Sequence, residues 1–155
     1  MTVLFLDFDG VLHPNNNSKA NLFIHRNHFE EVMRSVPKID IVISSSWRLH
    51  YEFDYLKQLF SPDIAARITG VTPRFAELDD SEVPDSLIGY PREAECSAFM
   101  RANRPASERW FALDDMRWLF RPFSQRLFEV DGDVGLTHAV AVELQDRIKE
   151  MECAL

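Results

Sequence analysis

The stretch VLFLDFDGVL, residues 3–12, decides the fold, because an apolar run ends abruptly in two carboxylates and a glycine. A short, continuous apolar run of strand formers is typical of a β-strand buried on both faces of a parallel sheet. The Asp-Phe-Asp-Gly segment predicts the end of that strand. Because helices must cover both faces of such a sheet, we expect an α/β domain.

The rest of the chain continues this alternation of strands and helices. Apolar runs predict further strands at 39–43, 68–72, 109–113 and 127–130. Helical patterns separate them at 26–36, 51–60 and 92–103, and Thr137 precedes a last helix to about Met151. We therefore predict one domain over residues 1–155, with a mostly parallel five-stranded sheet in a three-layer, Rossmann-like arrangement. Six aromatic residues of the C-terminal half are interpreted as core: Trp110, Phe111, Trp118, Phe120, Phe123 and Phe128.

The charge of the chain limits its partners. The sequence has 17 Lys and Arg against 25 Asp and Glu, so its formal net charge is −8. This excludes a basic field over the whole surface, as general nucleic-acid binders have, but not a local basic patch. The apolar run at residues 3–6 is too short for the apolar region of a signal peptide and lacks a basic flank, so we expect no signal peptide, and no apolar stretch reaches transmembrane length. The two cysteines form no zinc motif, so we expect a cytoplasmic protein without membrane contact.

Polar clusters follow three of the predicted strands, and we expect them to meet at one edge of the sheet. They are Asp7–Gly10, Ser44–Ser46 and the Asp114-Asp115 pair. Residues two apart on a strand point to the same side, so the carboxylates of Asp7 and Asp9 are expected to face one cavity. Clustered carboxylates need a cation or raised pKa values, and Mg²⁺ prefers such oxygens together with phosphate. Serine hydroxyls suit phosphate oxygens.

These clusters carry a family resemblance. The segment DFDGVL, residues 7–12, resembles the first motif of the haloacid dehalogenase (HAD) superfamily, Ser44 its second, and Asp114-Asp115 the two-aspartate form of its fourth. The segment SSSWR, residues 44–48, is similar to the HAD domain of Swiss Army Knife RNA repair proteins. The resemblance implies the three-layer HAD fold and a Mg²⁺-dependent phosphatase that forms an aspartyl-phosphate.

The resemblance also implies roles for the acidic residues. Asp7 would attack phosphorus, and Asp9 would protonate the leaving oxygen and then activate water. The expected Mg²⁺ ligands are Asp7, the backbone carbonyl of Asp9, and Asp115. Asp114 would support them from behind, although which of the last two aspartates is the main ligand stays open.

Other residues are expected to hold the phosphate. Ser44, with the backbone of Ser45, would bind a phosphate oxygen. Arg48 is assigned to substrate binding, with a nearby carboxylate as an equally weighted alternative partner. The third motif of the family is a Lys or Arg that stabilises the phosphoaspartate, for which Arg92 is our choice. The alternatives are Arg101 and Arg104.

The substrate class is less constrained. Neither long connection has room for a full cap domain, and an open site favours large substrates such as a nucleic-acid end or a phosphoprotein. The RNA-repair resemblance implies a 3′- or 5′-phosphate on RNA. The acidic stretch 77–85 would repel a polyanion if it lay at the entrance, although we interpret it as a solvated loop. A nucleotide or other small-molecule phosphatase, and a non-catalytic HAD-like partner-binding protein, are the alternatives. Trp47 is interpreted as a packing residue rather than a base-stacking platform, and one interpretation of His13 places it at the entrance.

Overall fold

Five parallel strands form the centre of the molecule, which a computed structural model describes from residue 1 to residue 153. Their order across the sheet is β3-β2-β1-β4-β5, and every neighbouring pair is parallel. The predicted α/β architecture is therefore confirmed. The strands are β1 (Thr2–Leu6), β2 (Ile39–Ile43), β3 (Ile68–Val71), β4 (Arg109–Asp114) and β5 (Leu127–Glu129).

Helices connect the strands, and short 3₁₀ turns lie near several strand ends. The helices are α1 (Arg26–Ser35), α2 (Phe53–Gln58), α3 (Pro62–Ala65), α4 (Pro91–Asn103) and α5 (His138–Cys153). The helix predicted over 51–60 is shorter than expected, because a 3₁₀ turn, Ser46–Leu49, follows β2 and delays its start. Pro62 and Pro91 each stand in the first turn of a helix, where the missing N–H costs nothing.

The sheet buries both of its faces. Leu4 and Leu6 of β1 belong to a cluster that includes residues of α1 and α5, whereas Val3 and Phe5 belong to a second cluster with Cys96 and Met100 of α4. Successive strand residues point to opposite faces, so this division follows directly from the apolar run. Burial of this kind is the main source of stability for the sheet.

The connections between strands contain no further sheet within residues 1–153, since all five strands belong to one sheet. The acidic loop between β3 and α4 holds two 3₁₀ turns, Phe75–Glu77 and Asp85–Leu87, and both contact α4. No helix in the described part of the chain is long and apolar enough to cross a membrane. The predicted single domain extends to residue 155 and stays a prediction, and its last two residues lie outside the described residues.

Two of the six aromatic residues assigned to the core are not in it. Trp110, Phe111 and Phe120 are buried, and Phe128 packs against the core from its edge. Trp118, however, is 63% exposed and Phe123 is 101% exposed. Both lie in the connection between β4 and β5, which has no strand or α-helical period to turn an apolar side chain inward.

Candidate active site

The register of the sheet brings the polar strand ends together. Leu6 of β1 pairs with Ile43 on one side and with Leu113 on the other. The amide of Asp7 donates to the Leu113 carbonyl at 3.1 Å, and the amide of Ser44 donates to the Leu6 carbonyl at 3.0 Å. The next residues of the three strands are therefore neighbours at one edge: Asp7, Ser44 and Asp114.

Three buried carboxylates form the centre of this edge. One oxygen from each of Asp7, Asp114 and Asp115 lies within 4.8 Å of the others. The Arg92 Nη1 lies 2.9 Å from Asp114 Oδ2 and 3.5 Å from Asp7 Oδ1. One guanidinium thus contacts two of the three carboxylates, and the cluster has a negative formal charge when all three are ionised.

Burial and the excess negative charge shift the pKa values of the carboxyl groups in the site. Burial, followed by repulsion from Asp114, raises the pKa of Asp7 well above its usual range, although Arg92 opposes the shift. Burial also raises the pKa of Asp114 against the attraction of Arg92. Burial would lower the pKa of Arg92, but Asp114 and Asp7 outweigh it and raise that pKa. A further cation at the cluster would favour the ionised carboxylates.

The oxygen atoms of the cluster fit a hard cation such as Mg²⁺. Asp115 Oδ1 is buried without a hydrogen-bond partner, while Asp115 Oδ2 accepts from Asn15 Nδ2 at 2.7 Å. Both oxygens of Asp114 are already used, one by Arg92 and the other by the amide of Met116 at 2.9 Å. Asp115 therefore has the free oxygen that a metal ligand requires, and Asp114 is held in place by its protein partners.

Two glycines enclose the carboxylate of Asp115. A Cβ atom on Gly10, which has φ of 79°, or on Gly132 would collide with Asp115 Oδ2. The one on Gly132 would also collide with Asn15 Nδ2. The absence of side chains at these two positions lets the backbone approach the cluster closely on two sides.

Asp9 lies apart from the cluster. Its carboxylate is 41% exposed and interacts with His13 Nε2 at 2.8 Å and with Trp47 Nε1 at 3.2 Å. The hydrogen bond from His13, together with that from Trp47, lowers the pKa of Asp9 against a smaller effect of burial. Asp9 is thus not part of the carboxylate cluster, and the expectation that the Asp7 and Asp9 carboxylates face one cavity stays a prediction.

His13 is completely buried beneath Asp9 rather than exposed at an entrance. Its Nδ1 accepts a hydrogen bond from the amide of Phe23 at 3.3 Å, which leaves the proton on Nε2 for Asp9. Trp47 packs against Phe8 and Phe23 while its indole N–H reaches Asp9, so the predicted packing role is accompanied by a polar contact. These contacts fix the direction of the Asp9 carboxylate.

The segment after β2 combines a free hydroxyl with a saturated arginine. Ser44 Oγ is buried and has no hydrogen-bond partner, whereas Ser45 Oγ accepts from the amide of Trp47 at 3.2 Å. All five N–H groups of Arg48 are used within the protein. Its acceptors are the carbonyls of Ser44, Ser45, Thr72 and Pro73 and the carboxylate of Glu95.

The contacts of Arg48 all lie within the protein, and its assignment to substrate binding stays a prediction. Its side chain is only 4% exposed, and its fork fastens the segment after β2 to the segment after β3. The alternative that was left open, a nearby carboxylate, is the one that the structure shows. That carboxylate belongs to Glu95, which also accepts from the amide of Phe75 at 2.9 Å and lies 3.8 Å from Arg92 Nε.

The three arginines considered for the third motif lie in different places. Arg92 is in the first turn of α4 and contacts Asp7 and Asp114, as described above. Arg104, which follows the last residue of α4, pairs with Asp40 near the start of β2. Arg101 donates to the carbonyl of Glu82 in the acidic loop. Arg92 is thus the arginine of the three that reaches the carboxylate cluster.

Asn15 and Glu95 contribute to the site but were not among the predicted residues. Asn15 lies in a polar loop whose composition indicates only a turn, and Glu95 lies on a helix where an isolated glutamate is normally solvated. A glutamate three residues after an arginine on the same helical face was the available signal for Glu95. A cavity of about 460 Å³ opens beside Asp115, and its lining includes Asn15 and Trp118.

Comparison with protein families gives one match. The sequence model of the family described as the HAD domain in Swiss Army Knife RNA repair proteins matches residues 3–141. That range contains every residue of the site described above. No curated protein and no solved structure matches the chain significantly.

Proposed function

Since the chain belongs to the family of HAD domains in Swiss Army Knife RNA repair proteins, a HAD-type hydrolase fold, we propose that it is a Mg²⁺-dependent phosphomonoesterase. The observation that carries this proposal is that two buried oxygens at one edge of the sheet have no hydrogen-bond partner in the protein. Asp115 Oδ1 and Ser44 Oγ both lack protein partners. They flank Asp7, and the first suits a cation while the second suits a phosphate oxygen.

Asp7 is the proposed nucleophile. One of its carboxylate oxygens forms a bond to phosphorus while the ester P–O bond breaks, and the leaving oxygen takes a proton from Asp9. Asp9 then accepts a proton from water as that water attacks phosphorus. The bond between phosphorus and Asp7 breaks, and inorganic phosphate and the free carboxylate result.

The difference in exposure between the two aspartates supports this division of roles. Asp7 is buried among charges that hold it in place, whereas Asp9 is half exposed, where a leaving group and water can reach it. The hydrogen bonds from His13 and Trp47 orient the Asp9 carboxylate. In this scheme His13 positions Asp9 and does not itself contact the substrate.

The proposed metal ligands are Asp7, Asp115 and the backbone carbonyl of Asp9, supported by Asp114. Bound there, Mg²⁺ would offset negative charge on the transferring phosphoryl group. Arg92 would stabilise the phosphorylated Asp7, since its Nη1 is already 3.5 Å from that carboxylate. Ser44 Oγ and the backbone of Ser45 would donate to phosphate oxygens.

The proposed substrate is a phosphorylated end of RNA. The family match and the lack of any further sheet between the strands of residues 1–153 support an open site that admits a polymer end. The second candidate is a small phosphomonoester such as a nucleotide, which the acidic residues of the cavity beside Asp115 favour because they repel a polyanion.

The test is phosphate release from p-nitrophenyl phosphate with and without Mg²⁺, in wild type and in Asp7→Asn. We expect Mg²⁺-dependent turnover in wild type and none in the variant, with circular dichroism showing that both are folded. Ser46→Ala, at an exposed position two residues after Ser44, is a matched control that retains turnover. Failure of wild type across several divalent cations and esters would favour a non-catalytic partner-binding protein.

A second assay compares phosphorylated RNA ends with nucleotides and phosphopeptides as substrates. RNA oligonucleotides with 3′- or 5′-phosphate, nucleotides and phosphopeptides are ranked by kcat/KM. We expect the oligonucleotides to rank first. A higher kcat/KM for mononucleotides would replace RNA ends by the small-molecule alternative.

A further inference from the structure

The segment between β4 and β5, Arg117–Arg126, has a composition unlike the rest of this acidic chain. It contains three arginines and four large aromatic or apolar side chains that include Trp118 and Phe123, and it contains no acidic residue. It begins two residues after Asp115. The carboxylate cluster is therefore followed at once by a local basic and aromatic surface.

The exposed members of this segment cannot be explained by packing. Trp118 is 63% exposed, Phe123 is 101% exposed, and the side chain of Arg117 is 75% exposed. Phe123 has φ of 60°, in the left-handed region that a bulky residue adopts only at a cost. A contiguous exposed apolar patch typically marks a binding site, and Trp118 and Phe123 line one cavity.

The backbone of the segment is nevertheless held firmly. Glu93, which is buried, accepts from the amide and the Nε of Arg121 at 3.0 and 2.8 Å. Arg126 lies over the ring of Trp110, 4.6 Å from its centroid, and the side chain of Phe120, in the middle of the segment, is buried in the core. The rings of Trp118 and Phe123 thus project from a fixed support, which lowers the entropic cost of binding.

The surface continues directly into the candidate active site. A cavity of about 580 Å³ lies against Tyr90, Arg117, Trp118 and Phe123. Trp118 and Glu129 line both this cavity and the one beside Asp115. A chain whose end lies at the carboxylate cluster can therefore extend across Trp118 without leaving the protein.

We propose that this surface, Tyr90 together with Arg117–Phe123, binds the nucleotides next to the phosphorylated end of a single-stranded nucleic acid. Bases would stack on Trp118 and Phe123, and Arg117 would contact a backbone phosphate. The proposal rests on the proposed function for its orientation, since the phosphate end is placed at Asp7. Charge complementarity selects a polyanion over an apolar peptide, because Arg117 and Arg121 are 75% and 47% exposed and line this cavity with one acidic residue, Glu129, which is 49% exposed.

Direct binding tests this surface independently of catalysis. The affinity of a fluorescent single-stranded RNA decamer with a terminal phosphate is measured by anisotropy in the Asp7→Asn protein. Trp118→Ala and Phe123→Ala are each expected to weaken binding about tenfold, which equals roughly 1.4 kcal/mol per ring. Arg117→Gln is expected to lower the slope of log K against log salt by about 0.7.

Matched controls separate this surface from general effects. Ile88→Ala removes an exposed apolar side chain elsewhere, and Arg147→Gln removes an exposed charge from α5. Both are expected to bind the decamer as the parent protein does. Equal affinity in the ring variants and the parent, or equal losses in the controls, would overturn the proposal.

Two further outcomes are distinguishable. If wild type hydrolyses p-nitrophenyl phosphate while the decamer does not bind, the phosphatase proposal stands and this surface is not a nucleic-acid site. If the decamer binds through Trp118 and Phe123 but no ester is hydrolysed, the surface proposal stands alone. Self-association that is lost in the double variant, without RNA binding, would assign the surface to a protein partner instead.

Discussion

Replacement of Arg48 by lysine tests whether this arginine is structural. The guanidinium donates five hydrogen bonds inside the protein, to four backbone carbonyls and to Glu95. Lysine keeps the positive charge but has three N–H donors, so at least two of these bonds are lost. The carbonyls that lose them lie in a region from which Arg48, at 4% exposure, excludes water.

The magnitude follows from that count. Two lost hydrogen bonds at about 1–1.5 kcal/mol each lower the free energy of unfolding by roughly 2–3 kcal/mol. For a chain of this size each kcal/mol corresponds to about 2–4 °C in Tm, so we expect a fall of roughly 4–12 °C. Ser44 is one of the residues whose carbonyl Arg48 holds, so kcat for p-nitrophenyl phosphate is expected to fall as well.

Thermal unfolding followed by circular dichroism measures the effect. Arg34→Lys is the matched control, because Arg34 also donates to a carboxylate, that of Asp63, but on the surface, and its Tm should not change measurably. An unchanged Tm in Arg48→Lys, combined with a raised KM for p-nitrophenyl phosphate, would refute the structural role and support substrate binding.

Three further predictions concern the cluster and its neighbours. Gly132→Ala pushes a methyl group into the carboxylate of Asp115 and should lower Mg²⁺ affinity, measured by calorimetry, about 10–100-fold. Gly89→Ala is the control, because a Cβ there meets nothing within 4 Å, and it should leave the affinity unchanged. Because the pKa of Asp7 is raised in the folded state, the metal-free protein should lose stability as pH rises from about 4 through that pKa. The Asp7→Asn variant should not show this loss, and Tm measured against pH in EDTA tests the difference. Parallel Tm profiles of the two proteins would contradict the prediction. His13→Phe removes the hydrogen bond that lowers the pKa of Asp9, so ¹³C NMR titration should show a higher pKa there, and an unchanged value would assign the shift to another contact.

The convergence of the site could be predicted because parallel strands impose it. Once the apolar runs were identified as strands, the residues that end them had to meet at the carboxyl edge. Asp7, Ser44 and Asp114 do so with the register that hydrogen bonding dictates. Arg92 could be chosen because it opens the helix that returns to that edge.

The direction of individual side chains could not be predicted in the same way. Arg48 is on a turn, where neither strand nor helix period decides between solvent and interior, and four backbone carbonyls together with Glu95 outweighed solvation. Asp9 follows the end of β1, so alternation did not predict its contacts with His13 and Trp47. Trp118 and Phe123 are apolar, but composition alone does not say whether a rigid loop hides its rings or displays them.

Glu95 also bears on how this scaffold tolerates insertions. One carboxylate ties together Arg48, Arg92 and the amide of Phe75, which lies near the start of the acidic loop. The loop ends where α4 starts, so both of its ends are fixed on the same helix. Residues added between these two anchors would leave the anchors themselves in place. The loop is therefore the natural place to graft a longer segment, and substrate selectivity could be engineered there while the scaffold beneath stays unchanged.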